Sequence, residues 1–183
     1  MHLVLLDRDG VLNEETPNYV KHPGELRLLP GAARAVARLN NAGIVVAVCT
    51  NQSCVGRGII DEAMLERIHD TLRQELAREG ARLDAVFACT DHPDRATRRR
   101  KPGPGMLEEA LRRYSAIPAE TPMIGDNLRD LQAATAAGCP RHLVRTGHGT
   151  AVQAKGLPPE ILPVRVHDDL AAAVAALLGP ETR

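Results

Sequence analysis

The sequence predicts an α/β fold, a parallel sheet with helices on both faces. Three observations carry this. Short continuous apolar runs recur along the chain. Segments with apolar residues at helical spacing lie between them, and the two kinds alternate from end to end. That order is the one a parallel sheet with crossover helices produces.

Each element reads in turn. Leu3-Val4-Leu5-Leu6 is apolar at every position and ends in charge, which marks a strand buried on both faces. Ile44 to Cys49 is a stronger run of the same kind, and Ala85 to Cys89 is a third. Pro122 to Gly125 is a short fourth and His142 to Arg145 a fifth. Ile161 to Val166 is a sixth, demoted to an edge or irregular strand by Pro163, which has no N–H for the ladder. Among the helices, Ala32 to Asn41 stops at Gly43. Asp61 is placed to cap a long helix bearing Met64, Leu65, Ile68, Leu72 and Leu76, which ends near Gly80. Pro104 to Tyr114 and Leu128 to Ala137 follow, the latter closed by Gly138. Asp168 or Asp169 opens the last helix, Leu170 to Leu178, and Gly179-Pro180 ends it. With no repeat, low-complexity segment or linker, 183 residues read as one domain, 1–183.

Composition narrows the function classes. Lys plus Arg number 23 and Asp plus Glu 23, so the formal net charge is zero. This argues against bulk electrostatic binding to nucleic acid or membrane. Aromatics are 2%, so the core must come from Ala, Leu, Val and Ile. No apolar run approaches the roughly 20 residues of a membrane-spanning helix. Met1 to Leu6 runs straight into charge and lacks a signal-peptide layout. Cys49, Cys54, Cys89 and Cys139 are widely spaced with no CxxC pair, which fits a reducing cytoplasm. A soluble cytoplasmic domain is expected.

In such a sheet, ligands bind beyond the carboxyl ends of the strands. Polar residues gather there: Asp7-Arg8-Asp9-Gly10 after the first run, Thr50-Asn51-Gln52-Ser53 after the second, Asp126-Asn127 after the fourth. Arg100-Lys101-Pro102 lies in the loop leaving the third. Asp7 and Asp9 repel one another unless a cation or proton sits between them. Asp126 adds a third carboxylate, and hard oxygen donors without His or Cys select Mg²⁺ rather than zinc. Thr50, with the Asn51 backbone nearby, and Lys101 are placed to hold the non-bridging oxygens of a phosphoryl group. A carboxylate attacking a phosphate dianion meets like-charge repulsion, which Mg²⁺ and Lys101 would offset.

The segments Leu6-Asp7-Arg8-Asp9-Gly10-Val11-Leu12-Asn13, Thr50 to Ser53, Arg100-Lys101-Pro102 and Ile124-Gly125-Asp126 resemble the four ordered motifs of haloacid-dehalogenase-superfamily phosphatases. The first two are similar in wording to the D-glycero-D-manno-heptose-1,7-bisphosphate 7-phosphatases and the related histidinol-phosphate phosphatases. The resemblance runs from Leu3 to about Arg145 and implies a Rossmann-like, capless haloacid-dehalogenase-like fold. The arm from Asp7 to Thr50 has room for a flap and one helix only, which agrees. By resemblance, Asp7 is the nucleophile that becomes an aspartyl phosphate. Asp9 protonates the leaving alkoxide and then activates water. Mg²⁺ is held by Asp7, the backbone carbonyl of Asp9, and Asp126. Thr50 and Lys101 hold phosphoryl oxygens, and Arg100 helps recognise the substrate. Glu15, Thr16, Asn18 and Tyr19 of the flap line the sugar side with Asn51, Gln52 and Ser53, and Asn127 is a further candidate.

The implied substrate is a small phosphorylated sugar, foremost the 7-phosphate of a heptose bisphosphate on the route to ADP-heptose and cell-surface polysaccharide. Histidinol phosphate is the near alternative. A nucleic-acid 3′-phosphatase is disfavoured by zero charge and scarce aromatics. A non-catalytic phosphosugar-binding protein is disfavoured by four intact catalytic positions.

One departure concerns zinc. The resembled phosphatases often bind it through Cys-x-His followed by Cys-x-Cys. Here Cys89 persists, Asp91 takes the His position, and Thr97 and Arg99 take the two Cys positions. One ligand of four makes no closed tetrahedral site, so zinc is expected to be absent and the loop ordered by protein contacts alone. Arg98 and Arg99 read as solvated charges. Asp130 either holds metal-bound water or faces a helix dipole. Arg57 either reaches a second phosphate or lies in a surface loop. His22, His69, His148 and His167 read as structural or surface residues, and the Cys54 thiol as incidental.

Overall fold

A computed structural model describes residues 1–179; Pro180, expected to help end the last helix, lies outside the described residues. Six strands form one sheet: β1 (Leu3–Leu6), β2 (Val45–Asn51), β3 (Ala85–Cys89), β4 (Met123–Gly125), β5 (Arg141–Val144) and β6 (Val164–His167). All neighbours are parallel, in the order β3-β2-β1-β4-β5-β6. Strand β1 is therefore central, with Leu5 beside Ala47 of β2 on one side and Met123 of β4 on the other. The chain winds outward from β1 in one direction and from β4 in the other. Such a reversal opens a crevice at the carboxyl ends of those two strands.

The helices are α1 (Ala32–Asn41), α2 (Ser53–Gly56), α3 (Glu62–Ala77), α4 (Gly105–Arg113), α5 (Leu128–Ala137), α6 (Gly149–Ala154) and α7 (Leu170–Leu178). Successive side chains of a strand face opposite ways, so one strand serves two cores. Val4 and Leu6 pack with Val46, Val48 and Ile124 against Val36 and Leu39 of α1, Ile68 and Leu72 of α3, and Val174 of α7. Leu3 and Leu5 pack with Ala47, Cys49 and Met123 against Met106 and Leu107 of α4 and Ala133 and Ala134 of α5. This two-sided burial is why β1 reads as four unbroken apolar residues.

Capping follows local chemistry. The Asp61 carboxylate accepts from the Met64 amide at 2.7 Å and starts α3. Asp169, not Asp168, caps α7 by accepting from Ala172 N at 2.8 Å, while Asp168 pairs with Arg145. At the sheet edge, Pro159–Ile161 forms a 3₁₀ turn and β6 starts only after Pro163, one residue past the last position without an amide donor. The short helices α2 and α6 have too few turns to leave a periodic signal. Among the described residues, the segments between β1 and α1 and between β3 and α4 are loops and single 3₁₀ turns, so no cap domain covers the carboxyl edge.

Candidate active site

Asp7 leaves the end of β1, Thr50 and Asn51 end β2, and Asp126 leaves the end of β4. Between them lies a cleft of about 430 Å³ whose wall includes Asp7, Asp9, Thr50 and Asp126. A cavity of about 510 Å³ at the opposite end of the sheet, reached by Arg141 and Arg165, has none of the motif residues in its wall.

Asp7, Asp126 and Asp130 each present a carboxylate oxygen, all within 4.8 Å of one another, and all three residues are buried. Burial, then the charge of Asp130, pushes the Asp7 carboxyl up to about 7, against the pull of Lys101. Burial, then Asp7 and Asp130, pushes Asp126 up to about 8. Lys101 Nζ lies 3.0 Å from Asp7 Oδ1 and 2.7 Å from Asp130 Oδ1, fully buried. Burial opposes its charge, but Asp130 and Asp7 outweigh that and raise its pKa. One ammonium thus pairs with two of the three clustered carboxylates. The uncompensated charge and the hard oxygen donors suit a small dication.

Two glycines make this closeness possible. Gly10 sits at φ 78°, and a Cβ there would lie 2.2 Å from Asp126 Oδ2. A Cβ on Gly147 would lie 2.1 Å from the same oxygen. The loop after β5 thereby reaches the site: His148 N donates to Asp126 Oδ2 at 2.7 Å, and Thr146 Oγ1 donates to Gly10 O at 2.6 Å.

Asp9 stands apart from the carboxylate trio. Its two oxygens accept from Arg8 Nε at 3.2 Å, Arg8 Nη2 at 2.8 and 2.9 Å, Asn13 Nδ2 at 2.8 Å and Gln52 Nε2 at 2.8 Å. Burial would raise its pKa, but the Arg8 guanidinium and these bonds outweigh burial and hold the carboxyl below the usual range. Arg8 is itself buried and touches His69 Nε2 of α3 at 3.3 Å. Burial, then Arg8, lowers the His69 pKa to about 4, so the ring is neutral near pH 7.

The expected sugar-side residues divide. Glu15, Thr16, Tyr19, Asn51, Ser53 and Arg100 do line the cleft. The Tyr19 hydroxyl meets Ser53 Oγ at 3.3 Å, joining the flap to the end of β2, and Thr16 Oγ1 is buried with no hydrogen-bond partner among the described residues. Burial, then the charge of Asp9, raises the Glu15 pKa, and His148 Nε2 lies 3.5 Å from its carboxylate.

Asn18 is exposed and outside the cleft wall. Gln52 is buried behind the wall, where its amide also donates to Thr50 Oγ1 at 2.8 Å. Asn127 caps α5 by accepting from Arg129 N, while Asp130 accepts from Asn127 N at 2.9 Å. Asp130 therefore serves the helix start with one oxygen and Lys101 with the other. Asn51 lines the cleft but uses its amide on the backbone of Lys101.

Arg57 lines the cleft, and so does Arg129, which the motifs did not single out. A cation in the first turn of a helix opposes the helix dipole, and that misfit was the available signal for Arg129. Arg8 lies between two acidic neighbours and carries no spacing signal of its own. In the zinc-loop positions, Asp91 accepts from Thr97 N and Thr97 Oγ1, both at 2.7 Å. Arg98 and Arg99 pair with Glu108 and Glu109 at the surface.

The family described as HAD-hyrolase-like matches residues 98–173. D-glycero-beta-D-manno-heptose-1,7-bisphosphate 7-phosphatase of Bordetella bronchiseptica is 47% identical over 97% of this chain and 98% of its own. The protein of the same description from Pseudomonas aeruginosa is 41% identical over 96% and 97%. A crystal structure of the B. bronchiseptica D,D-heptose 1,7-bisphosphate phosphatase, complexed with magnesium and phosphate, superposes with a TM-score of 0.92 at 46% identity, covering 97% of this chain and 98% of that one. Near-complete coverage at such identity, on a fold that brings Asp7 and Asp126 together at the carboxyl edge of the sheet, makes this chain a member of the heptose-1,7-bisphosphate 7-phosphatase family of HAD-like hydrolases.

Proposed function

We propose that the protein is a Mg²⁺-dependent phosphomonoesterase that removes the 7-phosphate of D-glycero-D-manno-heptose 1,7-bisphosphate, a step toward ADP-heptose. The observation that carries the substrate choice is the wall of the cleft. Arg57, Arg100 and Arg129 line it together with Asp7. Burial, then the neighbouring Arg129 guanidinium, lowers the Arg100 pKa, so an anion held between these two would offset their repulsion. A bisphosphate brings a second phosphate to that wall. Histidinol phosphate would bring an ammonium, which three guanidiniums repel.

The Asp7 and Asp126 oxygens, with the backbone carbonyl of Asp9, would hold Mg²⁺, and Asp130 adjoins them while pairing Lys101. The cation would offset the negative charge of Asp7 and of the phosphoryl group as they approach. Asp7 attacks phosphorus as the bond to the sugar oxygen breaks. That oxygen keeps the electron pair and takes a proton from Asp9. In the free site Arg8, Asn13 and Gln52 hold Asp9 as a carboxylate, so it must first gain that proton from solvent as the substrate dianion enters. Water then attacks the phosphorus on Asp7, returns a proton to Asp9 and releases inorganic phosphate. Thr50 and Lys101 neutralise and orient the phosphoryl oxygens. The open edge leaves specificity to the flap of Glu15, Thr16 and Tyr19 and to Ser53.

Four buried, unpaired cysteines suit a reducing compartment, which supports a cytoplasmic enzyme, and we take it as a single-domain monomer. Among the described residues, no helix is long and apolar enough to cross a membrane.

The test is phosphate release with Mg²⁺ from both anomers of the heptose bisphosphate, heptose 7-phosphate, histidinol phosphate and a 3′-phosphorylated oligonucleotide. One anomer should exceed every competitor in kcat/KM by about tenfold, roughly 1.4 kcal/mol of transition-state binding. Equal turnover of histidinol phosphate overturns the substrate. Turnover surviving Asp7→Asn overturns the mechanism.

A further inference from the structure

We infer that Arg8, braced by His69, is a positioning residue that aims the Asp9 carboxyl at the leaving oxygen. The inference rests on Asp9 being the proton donor.

An Asp side chain turns about two bonds, and a proton donor facing the wrong way protonates nothing. Three neighbours act on Asp9, and their geometries differ. Asn13 and Gln52 each touch one oxygen, at 2.8 Å. Arg8 alone grips both, with Nη2 at 2.8 and 2.9 Å and Nε adding a 3.2 Å bond. A planar guanidinium in this forked contact fixes the plane of the carboxyl as well as its position.

The guanidinium needs its own anchor, because an Arg stem is flexible. His69 supplies it from α3. Its ring is buried and neutral, so Nε2 is free to accept from Arg8 Nη1 at 3.3 Å. The other ring nitrogen, Nδ1, lies 3.7 Å from the Glu66 carboxylate at the surface. A line of side-chain contacts therefore runs from the outside of α3 to the cleft, and the Arg8 backbone N–H also donates to Asp7 Oδ1 at 2.7 Å. An arginine and a histidine buried among the apolar residues of α3 carry a desolvation cost that packing alone would avoid. Positioning Asp9 is what that cost supports.

A positioning role predicts a signature that loss of structure does not share. A sugar alkoxide needs a proton in order to leave, whereas an aryl oxide such as p-nitrophenolate leaves without one. kcat/KM for each substrate reports the first phosphoryl transfer alone. Asp9→Asn should lower the sugar phosphate far more than the aryl phosphate. Arg8→Met should lower both, with the sugar phosphate falling about tenfold further. His69→Leu should show the same imbalance, smaller, and His69→Gln, which keeps an acceptor, should restore it. The His69 pair keeps the inference testable if Arg8→Met does not fold.

Equal losses on both substrates in Arg8→Met and His69→Leu, beside an unequal loss in Asp9→Asn, overturn the inference and leave the donor intact. Equal losses in Asp9→Asn overturn the donor assignment, and the inference with it.

Discussion

Asn51 and Lys101 hold each other by two bonds: the Asn51 amide donates to the Lys101 carbonyl at 2.9 Å and accepts from the Lys101 N–H at 3.0 Å. A side chain at the end of β2 thus copies a strand neighbour and fixes the backbone that carries Lys101, the lysine proposed to hold phosphoryl oxygens. Asn51→Ala should cost about 1 kcal/mol of stability. It should lower kcat roughly 10- to 100-fold through misplacement of the Lys101 ammonium. Denaturant titration and steady-state kinetics on one preparation check both. Asn51→Asp, which sets a carboxylate against the Lys101 carbonyl, should do no better than Ala.

Gly10 should tolerate no side chain. Its φ of 78° disfavours other residues, and a Cβ would fall 2.2 Å from Asp126 Oδ2. Gly10→Ala should destabilise by about 2 kcal/mol or more and displace Asp126. Calorimetric titration with Mg²⁺ should show weakened binding even where the protein remains folded. Unchanged Mg²⁺ affinity would remove the steric argument.

The loop from Asp91 to Thr97 should depend on its own hydrogen bonds. Asp91→Ala removes both bonds from Thr97 and should lower stability by about 1 kcal/mol. A zinc-selective chelator should leave Tm where it was. A chelator-induced fall in Tm would mean that a metal orders this loop.

Acid should weaken the far edge of the sheet. His142 Nδ1 lies 3.0 Å from His167 Nε2 in a stacked pair. Burial, then His167 and Arg165, lowers the His142 pKa from 6.5 to about 4. The unfolded chain therefore binds this proton first as pH falls. The contribution is complete above pH 6.5 and is lost as pH drops toward 4, amounting to at most about 3 kcal/mol. Urea titrations across this range should show the loss, and His142→Phe should flatten it.

The fold and the carboxylate cluster were legible because both rest on local signals. Unbroken apolar runs marked strands buried on two faces, and acids at strand ends marked the edge where ligands bind. What stayed hidden were side chains whose task depends on a distant partner. Gln52 and Asn51 sit in a motif that invited a substrate role, yet their amides bond Asp9, Thr50 and the Lys101 backbone. Asp130 divides itself between a helix start and a lysine from another loop, a choice no spacing reveals. Arg8 meets His69 across 61 positions of chain. Gly147 and His148 reach Asp126 only once β5 has docked, so the loop that carries them offered no motif to read.

The central place of β1 also sets a timetable. Asp7 directly follows β1, while the strand that completes its site, β4, is made only after β2 and β3. Contacts so far apart in sequence form late and slowly. A growing chain therefore exposes Asp7 well before Asp126 joins it, and truncated translation products ending ahead of Asp126 carry one carboxylate of the cluster without the other two. The carboxylate cluster exists only in chains extended past Asp130.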